Sequence, residues 1–151
     1  MDVAAKLREL DLTLPEAPTP MASYVPVAVA GNLAFVSGQI ARKDGHVIYR
    51  GKVGDSVSVE QGATCARECA MSALAAMQAE GLLDRVVRVV KVTGFVASAP
   101  GFMDQPKVVN GASDFLLQVF GEAGKHARTS IGVASLPLGA SVEVDFVFEV
   151  R

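Results

Sequence analysis

Val142, Val144, Phe146, Phe148 and Val150 alternate with Glu143, Asp145, Val147 and Glu149. A period of two predicts a strand with one wholly apolar face. Its other face carries three carboxylates and one valine, so it meets water, a cavity or a partner chain. Upstream, the stretch that Arg128 enters reads as another strand, with Leu136-Pro137-Leu138-Gly139 as the turn between the two. If these strands pair as a hairpin, Arg128 and Glu143 need not be close within one chain.

The remaining pattern completes the element order. Val3, Leu7 and Leu10 recur at helical spacing among charged residues, which predicts a short amphipathic helix over Asp2–Leu10. Leu14–Pro20 holds three prolines and becomes an extended connector. Tyr24–Ala30 is expected to be a strand, with Pro26 at an edge or bulge. Gly31-Asn32 signals a two-residue hairpin into Leu33–Ile40. In that strand Gly38 marks either a bulge or a close approach of backbone to a ligand. His46–Arg50 reads as a short third strand.

Ser58-Val59-Glu60-Gln61 forms a capping box that opens a long helix. Ala63, Ala66, Ala70 and Ala73 share a stripe with Leu74 and Met77, which implies close approach to a flat surface, and Gly81 caps its end. The β-branched run Val86–Ala97 predicts a central strand buried on both faces. Gln105–Glu122 is the second long helix, with Gly111 a weak spot worth about 1 kcal/mol against Ala. The order helix, β-β-β, α, β, α, β-β gives an α+β fold, one sheet with both long helices on one face. Nothing remains to cover the other face, so self-association through the sheet is expected.

Composition narrows the classes. The 151 residues suit a single domain over 1–151, with residues 1–20 as helix and connector and 21–151 as core. Half the chain is hydrophobic, which excludes a disordered chain. A formal net charge of −2 argues against a nucleic-acid binder. No apolar run reaches the roughly 18 residues of a membrane span, and the opening Met1-Asp2-Val3 lacks a secretory signal. Cys65 and Cys69 stand at i and i+4 of a helix, a poor disulfide geometry and no zinc site. They are expected to be small packing residues, and free thiols favour a reducing, cytoplasmic setting.

No Walker loop, dinucleotide fingerprint or nucleophile elbow is present. Arg128 is the most informative residue, because arginine grips carboxylates with two parallel hydrogen bonds. A surface or interface ion pair is the alternative. Glu143 is either an interface partner or a carboxylate that activates a water. Tyr24 offers an apolar face and a hydroxyl, Asn110 a helix-borne amide, and His126 is expected to be a solvated loop histidine.

At these residues the chain resembles the reactive-intermediate deaminase family, the YjgF or RidA family, which carries an older endoribonuclease label. The pieces are Gly31-Asn32 leading into Val36–Ile40, the strand Val89–Val96, Val109-Asn110, Ala127–Ser130, Val133–Pro137 and Val142-Glu143. The helix before Tyr24 and the segment Ser98–Ala112 look like a longer branch. The resemblance implies a chorismate-mutase-like fold and a homotrimeric barrel with pockets between subunits, where Arg128 and Glu143 meet across a boundary. It implies that Arg128 clamps a substrate carboxylate, helped by the backbone N–H of Ser130. Glu143 holds the attacking water, Tyr24 and Gly38 line the pocket, and Asn110 is a peripheral polar contact. The implied reaction is hydrolysis of an enamine or imine such as 2-aminoacrylate to a 2-oxo acid and ammonia, with neither metal nor cofactor. A non-catalytic carboxylate-binding or protein-protecting trimer and an endoribonuclease are the competing readings, with a chorismate mutase behind them. The chain departs from the family pattern at His126, where Pro is common, and at Gly132, where many members have Glu.

Overall fold

The computed structural model describes residues 1–19 and 23–151. Pro20, at the end of the expected connector, and the expected boundary after it lie outside them. The chain runs α1 (Val3–Glu9), β1 (Val27–Ala30), β2 (Leu33–Ile40), β3 (Arg42–Lys43), β4 (His46–Val47), α2 (Val59–Ala79), β5 (Val86–Ala97), α3 (Gln105–Phe120), β6 (Ala127–Val133) and β7 (Val142–Val150). Short 3-10 turns follow α2 and α3 and precede β7.

Local chemistry sets the boundaries. Asp2 accepts from Ala5 N–H and starts α1. The Ser58/Gln61 capping box starts α2 as expected, both of its hydrogen bonds being present. Gly81 takes φ +68° just beyond the end of α2, the conformation a helix C-terminus asks of glycine. Tyr49 also has positive φ, +47°, and a strand cannot continue through it. The expected strand His46–Arg50 is accordingly two residues long. It pairs only with β3, in a small ribbon separate from the main sheet. The expected strand Tyr24–Ala30 shortens to Val27–Ala30, with Pro26 left outside.

The main sheet has the order β1-β2-β7-β5-β6. The last two strands do not pair with each other as a hairpin. β6 pairs in parallel with β5, and β7 lies on the far side of β5, antiparallel to both β5 and β2. The turn at Leu136–Gly139 is real, with Leu138 at φ +58° and Gly139 at +71°, but the chain then steps across β5 before it pairs.

α2 and α3 pack on one face. Val142, Val144, Phe146, Phe148 and Val150 point into that layer, all at most 4% exposed, beside Leu74, Met77, Leu116 and Val119. At the helix crossing a Cβ on Gly111 would stand 1.9 Å from the Ala63 carbonyl oxygen. Gly111 is thus the residue that lets the helices touch, not the weak point its propensity suggested. The opposite sheet face carries no helix. Leu33, Phe35, Phe95, Ile131 and Val147 lie on it with Glu143, Asp145 and Glu149. Within the protomer β5 is therefore buried on one face and only half-covered on the other, unlike the doubly buried strand its composition suggested.

Candidate functional site

Two clusters hold the chemistry. The first surrounds Glu143 at the start of β7. The β2–β7 register slips between Val36 and Gln39, so Ser37 and Gly38 form a bulge opposite Asp145, while Ile40 pairs with Glu143. A Cβ at Gly38 would lie 3.0 Å from Glu143 Cδ. Gly38 is thus part of a bulge, and the Glu143 side chain lies against its backbone. The Ser37 hydroxyl donates to Val25 O at 2.7 Å and its N–H to Pro26 O at 2.9 Å, which ties the Tyr24–Pro26 segment to the bulge. The result is an open cleft of about 780 Å³. Tyr24, Gly38 and Glu143 line it, with Pro15–Thr19 of the connector and Glu68 and Ser72 of α2. Burial, reinforced by the nearby Asp145 carboxylate, pushes the Glu143 carboxyl above its ordinary range. Asp145 is raised as well, mainly by burial and against the pull of Thr93 and Lys91.

The second cluster sits where β6 meets the N-terminal half of α3. Arg128 points to the helix side. Its Nη1 donates to Asn110 Oδ1 at 2.7 Å and to Ser113 Oγ at 3.2 Å, and its Nη2 makes a long 3.4 Å bond to Pro106 O. Pro106, Asn110 and Ser113 stand at i, i+4 and i+7 of α3, a polar seam on one helix face. Arg128 makes no ion pair among the described residues, so the surface-pair alternative does not describe this protomer. His126 is half-buried with both ring nitrogens engaged: its Nδ1 lies 2.6 Å from Gly124 O and its Nε2 2.9 Å from Ser113 Oγ. Ser130, two residues beyond Arg128 on the same strand face, has a buried hydroxyl with no partner. β6 is the outer strand of the sheet, so one of its edges presents unpaired backbone groups. Where the family pattern often has Glu, Gly132 leaves room that Gln105 fills: its Nε2 would lie 2.8 Å from a Cβ there.

Tyr24, Gly38 and Glu143 thus come together in one cleft, and Arg128, Asn110 and Ser130 in another region. The chain does not join the two. Arg128 is in register with Val92, which is in register with Phe146, three residues from Glu143. Two strand spacings and three residues make about 10 Å in each direction, and the side chains leave opposite faces of the sheet. Ser113 had no motif to mark it; the i, i+4, i+7 seam was the available signal. Cys65 and Cys69 are free and buried, and burial raises both thiols, as expected of packing residues. No group of three or more metal-ligating side chains occurs among the described residues, and none of the helices described is long and apolar enough to cross a membrane.

A mainly antiparallel sheet with two helices on one face and a bare opposite face defines an α+β, chorismate-mutase-like architecture. The chain belongs to the family described as "YjgF/chorismate mutase-like, putative endoribonuclease", whose model matches residues 4–150. It is 47% identical over 151 residues to protein TCP17 of Trypanosoma cruzi, covering 99% of this chain and 94% of that one. Among solved structures, Atu1372 of Agrobacterium tumefaciens, of unknown function, is 44% identical with a TM-score of 0.90, covering 99% and 92% of the two chains. A Shewanella oneidensis protein with the same endoribonuclease description is 30% identical with a TM-score of 0.92, covering 98% and 99%.

Proposed function

We propose that the protein hydrolyses small enamine or imine acids, of the 2-aminoacrylate type, to 2-oxo acids and ammonia. The observation that carries this reading is Arg128: a half-buried guanidinium whose partners are all neutral, with N–H groups left over for an anion. Arg128 would grip the substrate carboxylate and the Ser130 backbone N–H would assist. The imine carbon is already electrophilic, so the site has mainly to orient it and supply one water. Glu143 would take a proton from that water as the C–O bond forms. It would return the proton to nitrogen as the C–N bond breaks and ammonia leaves. A raised carboxyl suits both halves of that exchange.

Because the two residues leave opposite sheet faces, the complete site in this reading needs a second copy of the chain. A homotrimer closed over the bare sheet face would supply Glu143 and its cleft from one protomer and Arg128 from the next. The net charge of −2 gives little support to RNA as the substrate.

The test couples the purified protein to an enzyme that generates the imine and follows 2-oxo acid formation. Arg128→Ala is expected to lower kcat/KM by at least a hundredfold, since a charge-assisted pair to the substrate is lost. An undiminished rate removes the clamp. Binding of a small carboxylate with no turnover at all would identify a ligand-binding protein instead.

A further inference from the structure

Arg128 is held by a chain of hydrogen bonds whose direction can be read. Gly124 O can only accept, so His126 Nδ1 carries the proton in the 2.6 Å contact between them. In the neutral ring Nε2 is then an acceptor, and the Ser113 hydroxyl donates to it across 2.9 Å. That leaves a Ser113 lone pair facing outward, where Arg128 Nη1 donates at 3.2 Å. Asn110 Oδ1 takes the other Nη1 hydrogen at 2.7 Å. Ser113 is only 9% exposed, so its hydroxyl has little water to turn to.

Both hydrogens of Nη1 are therefore spent inside the chain, and Pro106 O takes one from Nη2. Of the five guanidinium N–H groups, Nε–H and one Nη2–H have no acceptor among the described residues. Two donors on one edge match a single carboxylate. We propose that Ser113 and His126 are positioning residues that close the Nη1 side of Arg128, so that it takes a carboxylate side-on through Nε and Nη2. This rests on Arg128 being the carboxylate clamp. Without Ser113 and His126 the side chain would have to lose rotamer freedom on binding, and the end-on edge would compete.

The experiment measures Kd by calorimetry for 2-oxobutanoate and for 2-oxobutanamide on wild type, Arg128→Ala, Ser113→Ala, His126→Phe and His126→Gln. Melting curves show that each variant is folded. Ser113→Ala and His126→Phe are expected to weaken the carboxylate about tenfold while changing the amide little, the usual scale for a hydrogen bond to a charged group. His126→Gln, which can still accept from Ser113, should recover part of the loss. Equal weakening of both ligands would show a packing role only and overturn the proposal. Wild-type binding by Ser113→Ala and His126→Phe, with carboxylate binding lost in Arg128→Ala, would overturn it while leaving the clamp intact. Wild-type binding by Arg128→Ala would remove the clamp and this proposal with it.

Discussion

Glu143 shows how one residue's environment sets its chemistry. Its carboxyl is lifted by burial first and by Asp145 second. A carboxyl whose folded pKa exceeds its unfolded value binds protons more readily in the folded state. Folding therefore carries no penalty from it below the unfolded pKa. The penalty grows as pH rises toward the folded pKa and is complete above that. Glu143→Gln should accordingly raise the melting temperature at pH 7 and leave it unchanged near pH 3. The same substitution should abolish most of the deamination, and in the wild type the acid limb of kcat/KM should lie above the usual glutamate range. A variant that is less stable at pH 7, or an acid limb at the ordinary value, would contradict this account. The candidates themselves, an arginine and a carboxylate on the last two strands, could be picked out in the sequence. The environment of His126 was not. A histidine six residues past the last helical turn of α3 reads as solvated, and only the fold shows that Gly124 and Ser113 take both ring nitrogens.

At the scale of elements, periodicity revealed what lies in each element better than where it ends up. The capping box of α2, the long run of β5 and the alternation of β7 all depend on neighbours in sequence, and all appear as read. The pairing of β6 and β7 depends on what slides between them, and a tight turn at Leu136–Gly139 carries no word of β5. Gly111 teaches the same lesson about energy. Helix propensity favours Ala there by about 1 kcal/mol, but an added Cβ would stand 1.9 Å from a backbone oxygen that cannot move aside cheaply. Overpacking of that kind costs about 1–3 kcal/mol or more. Gly111→Ala should therefore lower the melting temperature by several degrees, measured by calorimetry. A stabilised variant would mean that the helices separate more easily than their packing implies.

For the whole molecule, the bare sheet face is the feature that the single chain leaves unexplained. Phe35 is 44% exposed and Ile131 40%, and between them lie Phe95, Val147 and the raised carboxyl of Asp145. Apolar side chains spread over one flat face, beside carboxyls already short of water, are what a protein–protein contact leaves when its partner is removed. The proposed trimer covers that face and also brings Arg128 of one copy toward Glu143 of the next, so assembly and activity should fail together. Phe35→Glu places a charge in the middle of the face and touches neither Arg128 nor the α3 seam. In sedimentation, the wild type is expected at three times the 15.7 kDa chain mass and the variant at one. The monomeric variant should be folded and inactive. A variant that stays assembled would place the contact elsewhere on the surface. A monomer with full activity would mean that one chain brings an arginine and a carboxylate together by a route other than the one its sheet register allows.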